Sequence, residues 1–248
     1  METVGQRHED DGFASRTALL LGEEAVARLA RAHVLVVGLG GVGGYAAEQL
    51  CRAGVGKLTL VDSDVVSLSN INRQIIATHS NVGRLKVDLF KERFGDINPM
   101  CEVLTVGEFM RDEKMVDLLE AESYDYVVDA IDTLSPKVFL LYHAYKMGLS
   151  IVSSMGSAGK LDPTAVHISD ISKSHTCPLA AMVRKRLHRM GVEKGIKVVF
   201  SDEKVIMEAV VDDPQQNKRT TIGTVSYLPP VFGCCCASVV VRDLTNKE

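Results

Sequence analysis

HVLVVGLGGVGG, residues 33–44, decides how the rest of the 248-residue chain is read. His33–Val37 is an unbroken apolar run, as in a strand covered on both faces of a parallel sheet. Gly38, Gly40 and Gly43 follow in G-x-G-x-x-G spacing, and a helix is predicted from Gly44 to Arg52. In such a strand–turn–helix the first glycine allows a tight turn. The second lets backbone approach a phosphate, and the third lets helix and strand pack closely. Phosphate oxygens would meet the N–H groups and the positive dipole end of the helix. Asp62 and Asp64 end the next predicted strand, Lys57–Val61, where a carboxylate can hold a ribose hydroxyl. Read alone, these features say nucleotide, and a nicotinamide dehydrogenase is the default.

Outward from this unit, strands and helices alternate. Helices are predicted over Gly83–Phe94, Asp112–Glu120 and Ser135–Met147, and strands over Glu102–Val106, Tyr124–Asp129 and Ser150–Ser153. This is the pattern of an α/β fold with a doubly wound, Rossmann-like, mostly parallel sheet. Beyond residue 155 the pattern changes. A small-residue loop at Gly156–Gly159 precedes a short strand, Ala165–Ser169, and a basic helix, Pro178–Met190. A polar, mobile loop is predicted over Asp212–Arg219 and a final apolar helix over Val231–Asp243. The expectation is a single domain, 1–248, with an N-terminal helical arm (1–30), a nucleotide-binding core (31–155) and an elaborated C-terminal half (156–248).

With 46% hydrophobic residues, 24% charged residues and a net charge of −4, the composition is that of a soluble globular protein. It excludes a polycation that binds nucleic acid indiscriminately, while leaving room for a local basic face. The polar run Met1–Asp11 has no apolar signal region, and no stretch reaches the roughly 18 apolar residues of a membrane span. A cytoplasmic protein without a membrane partner is expected. The cysteines at 51, 101, 177, 234, 235 and 236 form no C-x-x-C, so no zinc is expected. Cys234–Cys236 reads as small buried residues on a helix.

The residues after Asp64 narrow the nucleotide. A triphosphate cleaved at its α-phosphate needs cations around it, because charge builds on the equatorial and leaving oxygens. Arg73 as a planar fork and Lys86 as a point charge can supply them. Magnesium bridging the phosphates takes one or two carboxylates plus water. Asp132 follows the end of a predicted parallel strand, where ligands bind in such sheets. Each has an ordinary reading alone: a surface cation for Arg73 or Lys86, a helix N-cap for Asp132. In this order together they point to ATP rather than to a dinucleotide.

Through GLGGVGG at 38–44, VDSD at 61–64, SNINRQ at 69–74, VGRLK at 82–86 and DAIDT at 129–133, nearly the whole chain resembles the ThiF/MoeB/HesA ubiquitin-activating-like adenylating superfamily. The resemblance implies that Gly38, Gly40, Gly41 and Gly43 cradle the phosphates. It implies Asp62 and Asp64 near ribose and metal, and Asn70, Arg73 and Lys86 on the phosphates. Asp132 would ligand magnesium. Arg16, in SRTALLLG, matches an arginine that reaches the partner subunit's ATP, which implies a homodimer with composite sites.

The missing C-x-x-C pairs separate the chain from the sulfur-carrier activators. Residues 153–187, SSMGSAGKLDPTAVHISDISKSHTCPLAAMVRKRL, resemble the branch that acts on transfer RNA, the threonylcarbamoyladenosine dehydratases. Cys177 departs from that branch, which is expected to carry an acidic residue before Pro178. The branch implies ATP-dependent cyclisation of threonylcarbamoyladenosine in tRNA through adenylation of the threonyl carboxylate. It leaves room for a monovalent cation, potassium or sodium, at the G-S-A-G loop with Asp170, and for a cysteine-desulfurase or sulfur-acceptor system as partner. Lys173, Arg184, Lys185, Arg186 and Arg189 would meet tRNA phosphates, although the same residues also read as the solvated face of an amphipathic helix. Since the nucleophile belongs to the substrate, no protein thiol is required, and Cys177 reads as incidental. Adenylation of the C-terminal glycine of a ubiquitin-like sulfur carrier is the chief alternative. A dehydrogenase and a nucleotide-gated RNA-binding module stand behind it.

Overall fold

A computed structural model describes residues 12–215 and 218–246, without the side chains of 213–219. The run 1–11 and the centre of the stretch predicted as a mobile loop, 216–217, lie outside the described residues. Strand β1 (His33–Val37) is buried along its whole length, which is why its sequence carries no polar alternation. It pairs in parallel with β2 (Lys57–Val61) on one side and β4 (Tyr126–Asp129) on the other. β3 (Glu102–Val106), β5 (Ile151–Ser154), β6 (Val166–Asp170) and β7 (Lys197–Ser201) complete a seven-stranded sheet of order β3-β2-β1-β4-β5-β7-β6. All neighbours are parallel except β6, which runs antiparallel to β7 at the edge. The chain reverses its winding direction between β1 and β4, and ligands bind at such a switch point beyond the strands' C-terminal ends.

The helices are α1 (Ser15–Leu21), α2 (Glu23–Arg31), α3 (Gly43–Arg52), α4 (Lys86–Ile97), α5 (Glu113–Glu120), α6 (Leu134–Lys146), α7 (Pro178–Arg189) and α8 (Leu228–Thr245). Two apolar layers flank the sheet. In one, α3, α4 and α8 bury Leu50, Phe90, Phe94, Phe232 and Val240. In the other, α5, α6 and α7 bury Met115, Leu141, Val183 and Leu187. α8 is long and apolar enough to match a membrane span, but half of it is buried inside the fold. Within it Cys236 is buried, Cys235 half-buried and Cys234 exposed, so the cysteine triplet faces three ways.

Four expectations differ from the structure. α4 starts at Lys86 rather than Gly83, because Gly83 has φ +88° and Val65 bridges Leu85 in antiparallel fashion. β7 has no counterpart among the predicted strands, since KVVFS is short and polar at both ends, and its pairing with β5 and β6 decides its state. The helix over the C-terminal apolar run begins at Leu228, with Pro229 and Pro230 in its first turn, where their missing N–H groups have no helical partner to lose. On either side of 216–217, the rest of the predicted loop lies in two paired antiparallel strands, β8 (Val210–Gln215) and β9 (Lys218–Ile222).

Candidate functional site

The glycine turn leaves β1 at the switch point. Gly38 takes φ +89°, and a Cβ there would stand 2.8 Å from the carbonyl oxygen of Ala130. A Cβ on Gly43 would stand 1.7 Å from the carbonyl oxygen of Gly38, so only glycine lets α3 start this close to the strand. Gly40 differs: nothing is nearer to its Cβ position than Gln74 Nε2 at 3.8 Å. Gly41 faces the backbone and Cγ of Arg73. The space above Gly40, at the N-terminus of α3, is therefore open to a ligand rich in acceptor oxygens.

Asp62 and Asp64 divide their work. Asp62 Oδ2 accepts from Leu39 N–H at 2.6 Å and Oδ1 accepts from Asp64 N–H at 2.8 Å, so Asp62 builds the turn. Burial raises its carboxyl above the usual range; the Lys86 cation and these two N–H donors act against that rise. Asp64 keeps an exposed side chain. Lys86 Nζ donates to Asp64 Oδ2 at 2.8 Å and lies 3.6 Å from Asp62 Oδ1. The residue itself is only 3% exposed, which removes the surface-cation reading. Its place follows from the Val65–Leu85 bridge and the Lys86 N–H bond to Asp64 O, which set the first residue of α4 over the end of β2.

SNINRQ, 69–74, forms the neighbouring wall. Asn70 Oδ1 accepts from Ser67 N–H, and Asn70 O accepts from the N–H groups of Arg73 and Gln74. Arg73 Nη1 donates to Ser69 O and Asn72 Oδ1. Burial lowers the Arg73 pKa, and the negative charge of Asp132 acts against that. Asp132 is exposed beyond β4, and Thr133 rather than Asp132 is the N-cap of α6, which removes the capping reading. Sequence reasoning gave Gln74 no role, although it ends the motif. It is 7% exposed, and its Oε1 is buried without a hydrogen-bond partner among the described residues.

The structure gathers Gly38–Gly43, Asp62, Asp64, Asn70, Arg73, Lys86 and Asp132 around the C-terminal ends of β1, β2 and β4. Arg16 stands apart. It is exposed on α1, a helix with no buried residue, and it has no hydrogen bond or ion pair among the described residues. The five basic residues also separate. Arg184 Nη1 donates to Ser174 O at 2.6 Å and to Ser174 Oγ at 2.7 Å, so this arginine ties α7 to the preceding loop. Arg186 Nη1 donates to Ser135 Oγ. Lys173, Lys185 and Arg189 are exposed, and Lys185 and Arg189 line a shallow groove of about 390 Å³ with His188. Both oxygens of Asp170 accept within the fold, from Ser172 and Gly195, so its carboxylate is committed there. Cys177 is buried at the N-cap of α7.

A glycine turn at the switch point of a doubly wound sheet, with a buried lysine and a half-buried arginine beside it, defines a nucleoside-phosphate-binding protein. A model of the ThiF family matches residues 14–248. The tRNA threonylcarbamoyladenosine dehydratase of Bacillus subtilis (strain 168) is 42% identical over 238 residues, 93% of each chain. That of Escherichia coli (strain K12) is 35% identical, covering 93% of this chain and 92% of its own. The E. coli enzyme's crystal structure in complex with ATP superimposes with a TM-score of 0.85 at 35% identity, covering 94% of this chain and 93% of that one. The chain belongs to the ThiF family.

Proposed function

We propose that this protein catalyses ATP-dependent dehydration of threonylcarbamoyladenosine in tRNA. The observation that carries the reading is Lys86, withdrawn from water yet held at the mouth of the glycine turn, in a chain 42% identical to a dehydratase of that name. In the first step a threonyl carboxylate oxygen attacks the α-phosphorus of ATP, the bond to the β-phosphate oxygen breaks, and pyrophosphate leaves. Gly38 shapes the turn, its own N–H donating to Val61 O, while the N–H groups of Gly40, Gly41 and Gly43 hold the phosphates. Lys86 and Arg73 balance the charge that develops, and Asn70 offers a hydrogen-bond donor. In the second step the carbamoyl group of the same nucleoside attacks the acyl carbon, closes a ring and loses its proton. AMP departs with one former carboxylate oxygen, so the RNA loses water. Both reacting groups sit on one nucleoside, so proximity drives closure without a protein nucleophile.

Asp132 offers one exposed carboxylate beyond β4, and magnesium takes one or two carboxylates plus water. Asp132 would hold magnesium, which would supply neutralisation of the charge on the leaving pyrophosphate. A monovalent cation at residues 156–159 would depend on backbone carbonyls, since Asp170 is engaged elsewhere.

The chain acts as one adenylating domain, in the cytoplasm, as a homodimer. α1 supports the dimer: Leu19 and Leu20 are 85% and 82% exposed, beside Arg16 on a helix with no buried side chain. A second copy that covers this helix would deliver Arg16 to its partner's ATP. On the RNA side, Lys173, Lys185 and Arg189 are the phosphate contacts, with Arg186 and Arg184 in supporting positions. A cysteine-desulfurase system would be a further partner.

Pyrophosphate release tests this reading. It should require tRNA that carries threonylcarbamoyladenosine. Release that instead requires a ubiquitin-like protein ending in Gly-Gly, and ignores the tRNA, would assign the chain to sulfur-carrier activation.

A further inference from the structure

Asp129, Lys137 and Ser153 form a fully buried polar cluster that none of the steps above uses. Asp129 is the last residue of β4, and it lies between Val37 of β1 and Ser153 of β5 in the sheet register. Its Oδ2 accepts from Lys137 Nζ at 2.5 Å and from Ser153 Oγ at 2.5 Å, while Lys137 Nζ stands 3.2 Å from Ser153 Oγ. Its other oxygen, Oδ1, accepts from Ile131 N–H at 3.0 Å. Two ions out of water are an expensive way to hold a core together, and apolar replacements of the same volume are often as stable. What this arrangement does that an apolar one cannot is grip a particular backbone N–H.

That N–H lies in a critical place. Ala130 donates to Val37 O, and the absent Cβ atoms of Gly38 and Gly43 would lie 2.8 Å from Ala130 O and 2.9 Å from Ala130 Cβ. Ala130 is thus wedged against the phosphate turn on one side. On the other, Asp129 Oδ1 fixes Ile131, and the next residue is Asp132. Lys137 extends the clamp through its side chain: its Nζ, bonded to Asp129 Oδ2, ties the first turns of α6 to the end of β4. Asp129 thus grips the turn between β4 and α6 twice, at Ile131 N–H through Oδ1 and at Lys137 Nζ through Oδ2.

We propose that Asp129 and Lys137 are positioning residues for adenylation, holding the Ala130–Asp132 backbone so that the Asp132 carboxylate meets the metal-bound triphosphate. They act through Ile131 N–H and the start of α6 and touch no substrate. The inference rests on Asp132 serving the metal-bound nucleotide, and the experiment separates the two.

Two double variants remove both charges together. Asp129→Asn/Lys137→Met keeps an acceptor for Ile131 N–H; Asp129→Val/Lys137→Met does not. Affinity for an α,β-methylene analogue of ATP is measured with magnesium and again with a chelator. The Asn-containing pair should bind as wild type does in both. The Val-containing pair should keep its chelator affinity and lose about tenfold with magnesium, the scale on which groups behind a metal ligand act. A folded Val-containing pair with wild-type affinity in magnesium overturns the inference. Should that pair not fold, Ser153→Ala removes one donor to Oδ2 and leaves both charges. It should weaken only the magnesium-dependent binding, and no change would overturn the inference. Asp132→Ala is run alongside. If it retains the full effect of magnesium, the assignment of Asp132 itself fails. If it loses that effect while the Val-containing pair does not, the positioning role alone fails.

Discussion

Lys86 Nζ stands 3.6 Å from Asp62 Oδ1, with both side chains almost wholly withdrawn from water beneath the glycine turn. The contact joins the first residue of α4 to the end of β2, so a charge placed for phosphate also helps to hold the nucleotide wall together. Replacing this lysine therefore affects stability and chemistry at once.

Lys86→Met should lower kcat by about a hundredfold, the loss seen when a charge-stabilising donor is removed. It should also cost about 3 kcal/mol of stability at neutral pH, because Asp62 keeps its charge without its cation. Burial already raises the Asp62 pKa, and removing Lys86 raises it further. An ionised Asp62 then weakens the fold above its folded-state pKa, and the penalty fades once the carboxyl is protonated. The gap in Tm between wild type and variant should narrow as pH falls from 7 into the acid range; a gap that widens would contradict the placement.

Gly40→Ala and Gly43→Ala should part company. The first meets only Gln74 Nε2 at 3.8 Å, so the variant should fold with a near-native Tm and bind ATP about tenfold more weakly, one methyl group crowding the phosphate space. The second drives a methyl to 1.7 Å from Gly38 O, and a sharp fall in Tm or failure to fold should follow. Thermal melts with and without ATP distinguish them.

Gln74→Leu should act with opposite signs on the two states. Removing a buried acceptor that lacks a partner among the described residues should stabilise the nucleotide-free protein by about 1 kcal/mol. ATP affinity should fall, because the Gln74 amide lies beside Gly40 and a nucleotide donor would satisfy its Oε1. Equal ATP affinity in the variant would remove Gln74 from the site.

Within the basic residues of α7, Arg184→Ala should cost about 2 kcal/mol, since the side chain bonds Ser174 twice. Lys185→Glu/Arg189→Glu should leave Tm unchanged, weaken tRNA binding and lower its salt slope by about one for each phosphate no longer neutralised. ATP affinity should not move. A fall in ATP and tRNA binding together would contradict a tRNA-specific surface.

Much of this was legible in the chain. HVLVV followed by spaced glycines can only be a buried strand entering a turn too tight for a Cβ, and Gly43 against Gly38 O shows why. The succession of β1 to β5 along the chain followed from the same alternation. What stayed hidden depends on contacts far apart in sequence. Asp129 reads as the first acid of DAIDT, and nothing local shows that Lys137 and Ser153 close around it. Arg184 reads like its basic neighbours until Ser174 is seen beneath it. The Asp62–Asp64 pair reads as two equivalent acids, yet backbone N–H groups claim both oxygens of the first. Strand β7 and the paired strands β8 and β9 stayed hidden because their pairing partners, not their own short sequences, set the structure.

Cys177→Ser should retain activity within about threefold, since ring closure uses the substrate's own groups and the thiol is buried at the start of α7. A loss of more than about a hundredfold would require a covalent thiol step.

The most direct test of the central claim is mass spectrometry of the nucleosides from tRNA incubated with the protein, ATP and magnesium. Threonylcarbamoyladenosine should give way to a product lighter by one water, and the conversion should vanish without ATP and with Asp132→Ala. An unchanged nucleoside under conditions in which the protein binds both ATP and the tRNA would contradict the account.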